Sequence, residues 1–269
     1  MAVTILHVSD LHVGAHEGPD VGASLAELVA RIRPGLIVAS GDLTHRNTPA
    51  QHERAAALLR SLGAPLLVIP GNHDIPRWPP WRFTRTFDEF LRTWPETEPV
   101  YRSEQIVVCG LNSVRPWKQQ GGALRQSQLE RVAKAFAESP DGALRMVALH
   151  HHLLGAPWRT VKRTIANRST VLGALVDAGA ELIVSGHVHQ SAISERREFE
   201  VAEGEVRGTT VVTAPGLGQP RPKRRGEARG VHFFEADEGS LTAVTYSWTG
   251  SDWYRIAERR FPRGIRGLA

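Results

Sequence analysis

Short apolar runs in this chain end, one after another, in residues that bind metal ions. Val3–Val8 runs into Asp10-Leu11-His12, Leu36–Ala39 into Ser40-Gly41-Asp42, and Leu66–Ile69 into Gly71-Asn72-His73-Asp74. Met146–Leu149 runs into His150-His151-His152, and Leu182–Val184 into Gly186-His187-Val188-His189. Runs this short and this rich in Val, Ile and Leu read as strands buried on both faces. In an open α/β sheet, groups at the carboxyl ends of the strands gather over one crevice. Residues spread from position 10 to position 189 can therefore meet. Asp10 and His12 flank Leu11, and His187 and His189 flank Val188, so each pair shares one side of an extended segment. Glycine precedes Asp42, Asn72 and His187, where the chain must turn sharply and approach a ligand closely.

Helices are expected between these strands. Leu25, Leu28, Val29 and Ile32 fall at helical spacing. Thr48-Pro49-Ala50-Gln51 reads as a capping box with proline at the first helical position, and Ala55, Leu58, Leu59 and Leu62 form the apolar face behind it. A second box is predicted at Ser127-Gln128-Leu129-Glu130, with Leu129, Val132, Ala133 and Phe136 buried, and another helix near Thr170–Asp177. Strand–helix–strand alternation implies crossovers and a largely parallel sheet. Beyond His189, residues Val206–Thr213, Val231–Glu235 and Leu241–Trp248 read as strands with no helix between them. An α/β half followed by a β-rich half predicts two sheets packed face to face with helices outside. One domain is expected over residues 1–269, ending in a frayed tail at 254–269. An irregular insertion at 75–100 breaks the rhythm and reads as a lid or substrate wall. Its Arg77, Trp78, Trp81, Arg82, Phe83 and Arg85 could stack a base and grip a phosphate, although packing of the tryptophans, Trp94 included, onto the core is the favoured reading.

The donors are carboxylates, an amide and imidazoles. The single cysteine, Cys109, sits in an apolar run and reads as a core residue. Mixed N and O ligands without sulfur suit Mn, Fe, Zn or Co. Paired cations sharing a carboxylate usually hydrolyse phosphate esters. The formal charge of +5 and the basic run Arg221–Arg225 suit anionic substrates, nucleic acid included, although such a run is ordinarily a solvated loop. His45 and Arg46 could line the substrate pocket or lie in a plain loop. His7, His16, His52 and His232 read as structural or exposed. No apolar run has the length of a membrane span and no signal peptide is apparent, so a cytoplasmic location is expected.

The ordered set Asp10-x-His12, Gly41-Asp42, Gly71-Asn72-His73-Asp74, the histidine run and Gly186-His187-x-His189 resembles the calcineurin-like metallophosphoesterase superfamily across residues 3–189. Within it, the motifs look closest to bacterial class III cyclic nucleotide phosphodiesterases. The resemblance implies a four-layer αββα sandwich of two mixed β-sheets flanked by helices. It implies two divalent or mixed-valence transition-metal ions, one on Asp10, His12 and His189, the other on Asn72, a histidine of the 150–152 run and His187, with Asp42 bridging both. His73 would contact the phosphate and protonate the leaving group, and Asp74 would orient His73. The family's usual proline is replaced by Leu153 after three histidines. Aligning on the strand end makes His150 the ligand, aligning Leu153 with the proline makes it His151, and the strand end favours His150. The implied activity is phosphodiester hydrolysis by a hydroxide shared between the metals, on a cyclic nucleotide or another small diester. A nuclease with the same metal site is the alternative. A non-catalytic scaffold would be expected to have lost ligands, and here the set is complete.

Overall fold

The computed structural model describes residues 2–15, 21–118, 120–158, 160–199, 206–218 and 227–266. Two six-stranded sheets make up the core. Edge to edge, the first runs Trp253–Pro262, Ser240–Trp248, Gly230–Ala236, Val3–Val8, Leu36–Ala39 and Leu66–Val68. The second runs Val100–Arg102, Ile106–Leu111, Leu144–Leu149, Leu182–Ser185, Thr210–Thr213 and Ala192–Glu195. Both are mixed. The strands bearing the ligand segments are parallel neighbours within each sheet, and the antiparallel strands lie toward the edges. Because parallel neighbours share a direction, their carboxyl ends emerge along one rim.

Three apolar layers follow from strand alternation. Val3 and Ile5 point between the sheets, where they meet Leu36, Val38, Val108, Met146 and Val184. Leu6 and Val8 point outward onto the helices Val21–Ile32 and Pro49–Ser61. Val107, Cys109 and Leu111 do the same for the helices Gln126–Ala137 and Arg168–Asp177 on the opposite outer face. The result is the four-layer sandwich the sequence predicts. No helix among the described residues is long and apolar enough to cross a membrane.

Three local expectations need correction. Residues Trp253–Pro262 form a ten-residue edge strand paired with Ser240–Trp248, not a frayed tail. The cap on the helix Gln126–Ala137 is set two residues earlier than Ser127, at Arg125, whose backbone N–H donates to Gln128 Oε1 at 2.7 Å. Within the insertion, Phe90 and Trp94 do pack onto the outer layer, but Trp78 and Trp81 remain 63% and 52% exposed, with Arg77 and Arg85 lying over their rings. The buried Arg82 ties this segment down by donating to the carbonyls of Pro76, Pro116 and Lys118.

His7 and His232 are partners on adjacent strands, fully buried, with rings stacked 6.2 Å apart. Burial, joined for His7 by its neighbour His232, pushes each imidazole down to about 3. An unfolded imidazole titrates near 6.5. Between those values the unfolded chain binds protons that the folded chain does not, so stability falls as the pH drops. Well below pH 6.5 the slope is about 1.4 kcal/mol per pH unit for each residue. His232→Gln is expected to flatten the dependence of unfolding free energy between pH 6 and 4 by about that slope. Urea melts across the range measure it, and an unchanged slope would refute the assignment.

Candidate metal centre

The ligand segments do not simply continue their strands. Asp10, His12, Asp42, His187 and His189 all have positive φ, between 45° and 76°, and they are five of the seven described non-glycine residues that do. Such a conformation costs on the order of 1 kcal/mol per residue and collects where the surroundings over-determine it. Here the surroundings are a ladder of backbone hydrogen bonds that carries past the strand ends. Asp10 N donates to Gly41 O and His12 N to Asp42 O, both at 2.9 Å, and Gly218 N donates to Asp10 O at 2.7 Å. Glycine is required at two close approaches within the site. A β-carbon at Gly71 would collide with the backbone and carboxylate of Asp42, and one at Gly186 with the Ser9 hydroxyl and the Asp10 carboxylate.

Three groups of donors converge among the described residues; one, His12 with His45 and His73, holds only imidazoles, and the other two each hold a carboxylate. The ligand atoms of Asp10, His12 and His189 lie within 4.8 Å of one another, and so do those of Asp42, His150 and His187. Nε2 of His189 is 3.1 Å from both Asp10 Oδ1 and His12 Nε2. Nε2 of His150 is 3.3 Å from Asp42 Oδ1 and 3.2 Å from Asn72 Oδ1. Asp42 stands between the groups: Oδ1 faces His150, while Oδ2 is 3.7 Å from His12 Nε2 and is buried with no hydrogen-bond donor among the described residues. Donors around one first-row ion each lie about 2.1 Å from it, which separates neighbouring donors by roughly 3–3.5 Å. The spacings of 3.1 to 3.3 Å match that pattern, the 3.7 Å from Asp42 Oδ2 to His12 Nε2 is longer, and the N/O donor set fits such ions. His151 is placed differently, with Nδ1 2.8 Å from the Ser113 hydroxyl and its ring against that of His187.

The electrostatics agree. All seven donor residues are buried. Burial alone would raise the carboxyls, yet His189 and His150 facing Asp10, and His150 and His73 facing Asp42, hold both below the ordinary carboxylate range. Burial pushes His12 and His187 well down. It also opposes protonation of His150, but the charges of Asp42 and Asp10 outweigh it and push that group up to about 9. Burial is likewise outweighed at His189, which Asp10 and Glu227 raise. The two carboxylates thus demand positive charge between them, from protons or from metal ions.

His73 sits beside this cluster and is only half-buried. Its backbone N–H donates to Asp42 Oδ1 at 2.8 Å, and its Nδ1 donates to the carbonyl of His45 at 2.9 Å. Asp74 does not take the orienting role that the resemblance implies. Its carboxylate accepts four hydrogen bonds instead, from the N–H groups of Leu43, Thr44 and Gly71 and from the Thr44 hydroxyl, and so fixes the loop that carries Asp42. The rings of His45 and His73 stack at 5.8 Å. Of the other residues weighed from sequence, His52 is buried against Asn47 Oδ1, while His16 and the Arg221–Arg225 run lie outside the described residues.

Sequence reasoning overlooks several neighbours of the site. Glu227 approaches His189 Nδ1 at 3.3 Å, the carbonyl of Gln120 meets His187 Nε2 at 3.0 Å, and Lys162 donates to the His187 carbonyl. None of the three lies in a recognisable pattern, and Gln120 makes its contact through a backbone carbonyl, which any residue type supplies.

Comparison with known proteins agrees with this geometry. The profile of the family described as calcineurin-like phosphoesterase matches residues 3–191. A probable cyclic nucleotide phosphodiesterase of Synechococcus sp. is 29% identical over 207 residues, covering 73% of this chain and 77% of that protein. The 3′,5′-cyclic adenosine monophosphate phosphodiesterase of Escherichia coli (strain K12) is 29% identical over 202 residues, covering 70% of each. Among solved structures, a dimetal phosphatase from Danio rerio superposes with a TM-score of 0.67 at 13% identity, over 97% of this chain and 99% of that one, which speaks for the fold. The chain belongs to the calcineurin-like phosphoesterase family and is a metal-dependent phosphoric ester hydrolase.

Proposed function

We propose that the chain is a dinuclear phosphodiesterase acting on a cyclic nucleotide or another small diester. The observation that carries this reading is the placement of Asp42 between two three-residue donor groups, with the half-buried His73 beside them. Asp10, His12 and His189 would hold one ion, and Asn72, His150 and His187 the other, with Asp42 shared. Mn, Fe, Zn or Co suit these donors. Two such ions supply Lewis-acid charge at the phosphoryl oxygens and a nucleophile near neutral pH.

The side chains do the rest. The Asp74-braced loop keeps Asp42 in place. The His45 carbonyl keeps a proton on His73 Nδ1, so a protonated His73 would deliver its second proton from Nε2 to the leaving oxygen. The relatives named as cyclic nucleotide phosphodiesterases support a diester substrate of that class. Manganese-loaded protein is expected to hydrolyse bis-p-nitrophenyl phosphate and at least one 3′,5′-cyclic nucleotide. Hydrolysis of neither, under any of the four metals, would overturn the proposal.

One observation favours a nuclease reading beside this one. The exposed Trp78 and Trp81, with arginines over their rings, offer a platform for successive bases. Cleavage of single-stranded DNA or RNA that falls when both tryptophans are replaced by alanine would support it.

A further inference from the structure

We propose that Glu227 is a positioning residue that fixes His189 for the ion held with Asp10 and His12, making that ion the more tightly bound of the two. The inference rests on the metal reading above.

Glu227 Oε2 lies 3.3 Å from His189 Nδ1, and both side chains are buried, at 5% and 1% exposure. A carboxylate at this distance keeps the imidazole proton on Nδ1 and leaves the Nε2 lone pair free for a cation. Nε2 is the atom that points at Asp10 Oδ1 and His12 Nε2, at 3.1 Å from each. The next residue holds the same histidine through the backbone, with Ala228 N donating to His189 O at 3.0 Å. One short segment thus meets His189 twice, by an ion-pair contact at the ring and a hydrogen bond at the main chain. That segment lies beyond residue 191, where the match to the family profile ends.

The second donor group is supported differently. His150 Nδ1 faces the carbonyl of Ser40 at 2.9 Å, and His187 Nε2 faces the carbonyl of Gln120 at 3.0 Å. Both partners are neutral. A carboxylate behind an imidazole raises its basicity as a ligand, and losing such a partner typically weakens metal binding 10–100-fold. The asymmetry between one carboxylate and two carbonyls therefore predicts unequal affinities and sequential filling.

The test is a titration of metal-free protein with Mn²⁺, read by calorimetry and by the electron paramagnetic resonance of free Mn²⁺. Wild-type protein should bind two ions with distinct affinities. Glu227→Gln should weaken the tighter step roughly 10–100-fold and leave the weaker step, and the Tm of the metal-free protein, unchanged. Glu227→Asp keeps the charge but shortens its reach, and should fall between the two. Unchanged affinities in Glu227→Gln, or equal weakening of both steps together with a lowered Tm, would overturn the proposal. If the Gln variant does not fold, indistinguishable steps in the wild type or an unchanged tight step in Glu227→Asp would do so. Wild-type protein that binds no Mn²⁺ would overturn the metal reading itself, and the wild-type stoichiometry is obtained first.

Discussion

Asp42→Ala is expected to abolish turnover, by on the order of 10⁴-fold or more as for parts that act only as a unit, and to leave the protein unable to hold two ions. The reason is local. One oxygen of Asp42 faces His150 and receives the backbone N–H of His73, and the other faces His12 with no donor of its own among the described residues. A single side chain is therefore placed to serve both donor groups. Asp42→Asn is the sharper control, since it keeps the volume and removes the charge that holds the His150 imidazole up at about 9. Elemental analysis should show fewer than two ions per chain in both variants, alongside lost activity on bis-p-nitrophenyl phosphate. Two retained ions and near-normal turnover in Asp42→Ala would contradict the bridging assignment.

His73→Ala is expected to behave differently. Its ring is not part of either donor group built around Asp10 and Asp42, and the hydrogen bond it gives to Asp42 comes from its main chain, which the substitution keeps. Metal content should stay near two ions per chain while turnover falls roughly 10²–10⁴-fold, the usual scale for a lost general acid. The leaving group supplies the discriminating readout. p-Nitrophenolate departs without much protonation, whereas an alkoxide needs its proton. The loss should therefore be larger on an alkyl diester or a cyclic nucleotide than on bis-p-nitrophenyl phosphate. Equal losses on all three would assign His73 to phosphate binding alone, and full activity would remove it from the mechanism.

How much of this is legible in the chain alone depends on how local each signal is. The buried strands announce themselves as short Val/Ile/Leu runs, and the donors follow directly at their ends. Asp10, His12, Asp42, Asn72, the histidine run 150–152, His187 and His189 therefore stand out as candidate donors from their order, while their division between two ions comes from the family resemblance. The four layers follow from the same runs, because alternate residues of Val3–Val8 and Ile106–Leu111 enter different apolar layers. The edge strand Trp253–Pro262 is missed because most of its side chains face solvent, and Arg255, Glu258, Arg259 and Arg260 give it the composition of a tail. Asp74 misleads because adjacency to His73 suggests contact. The turn instead aims its carboxylate at the backbone of residues 43, 44 and 71. Trp78 and Trp94 belong to one tryptophan-rich stretch, yet only the latter finds the outer layer. Glu227 is invisible because it meets His189 from 38 positions downstream, through a contact made only in the folded chain.

These scattered donors are expected to enclose a pair of ions with Asp42 between them. Anomalous diffraction from a crystal of manganese-loaded protein tests it most directly. Two peaks roughly 3.5–4 Å apart, one beside Asp10, His12 and His189 and the other beside Asn72, His150 and His187, are the predicted result. A single peak, or a pair remote from Asp42, would contradict it.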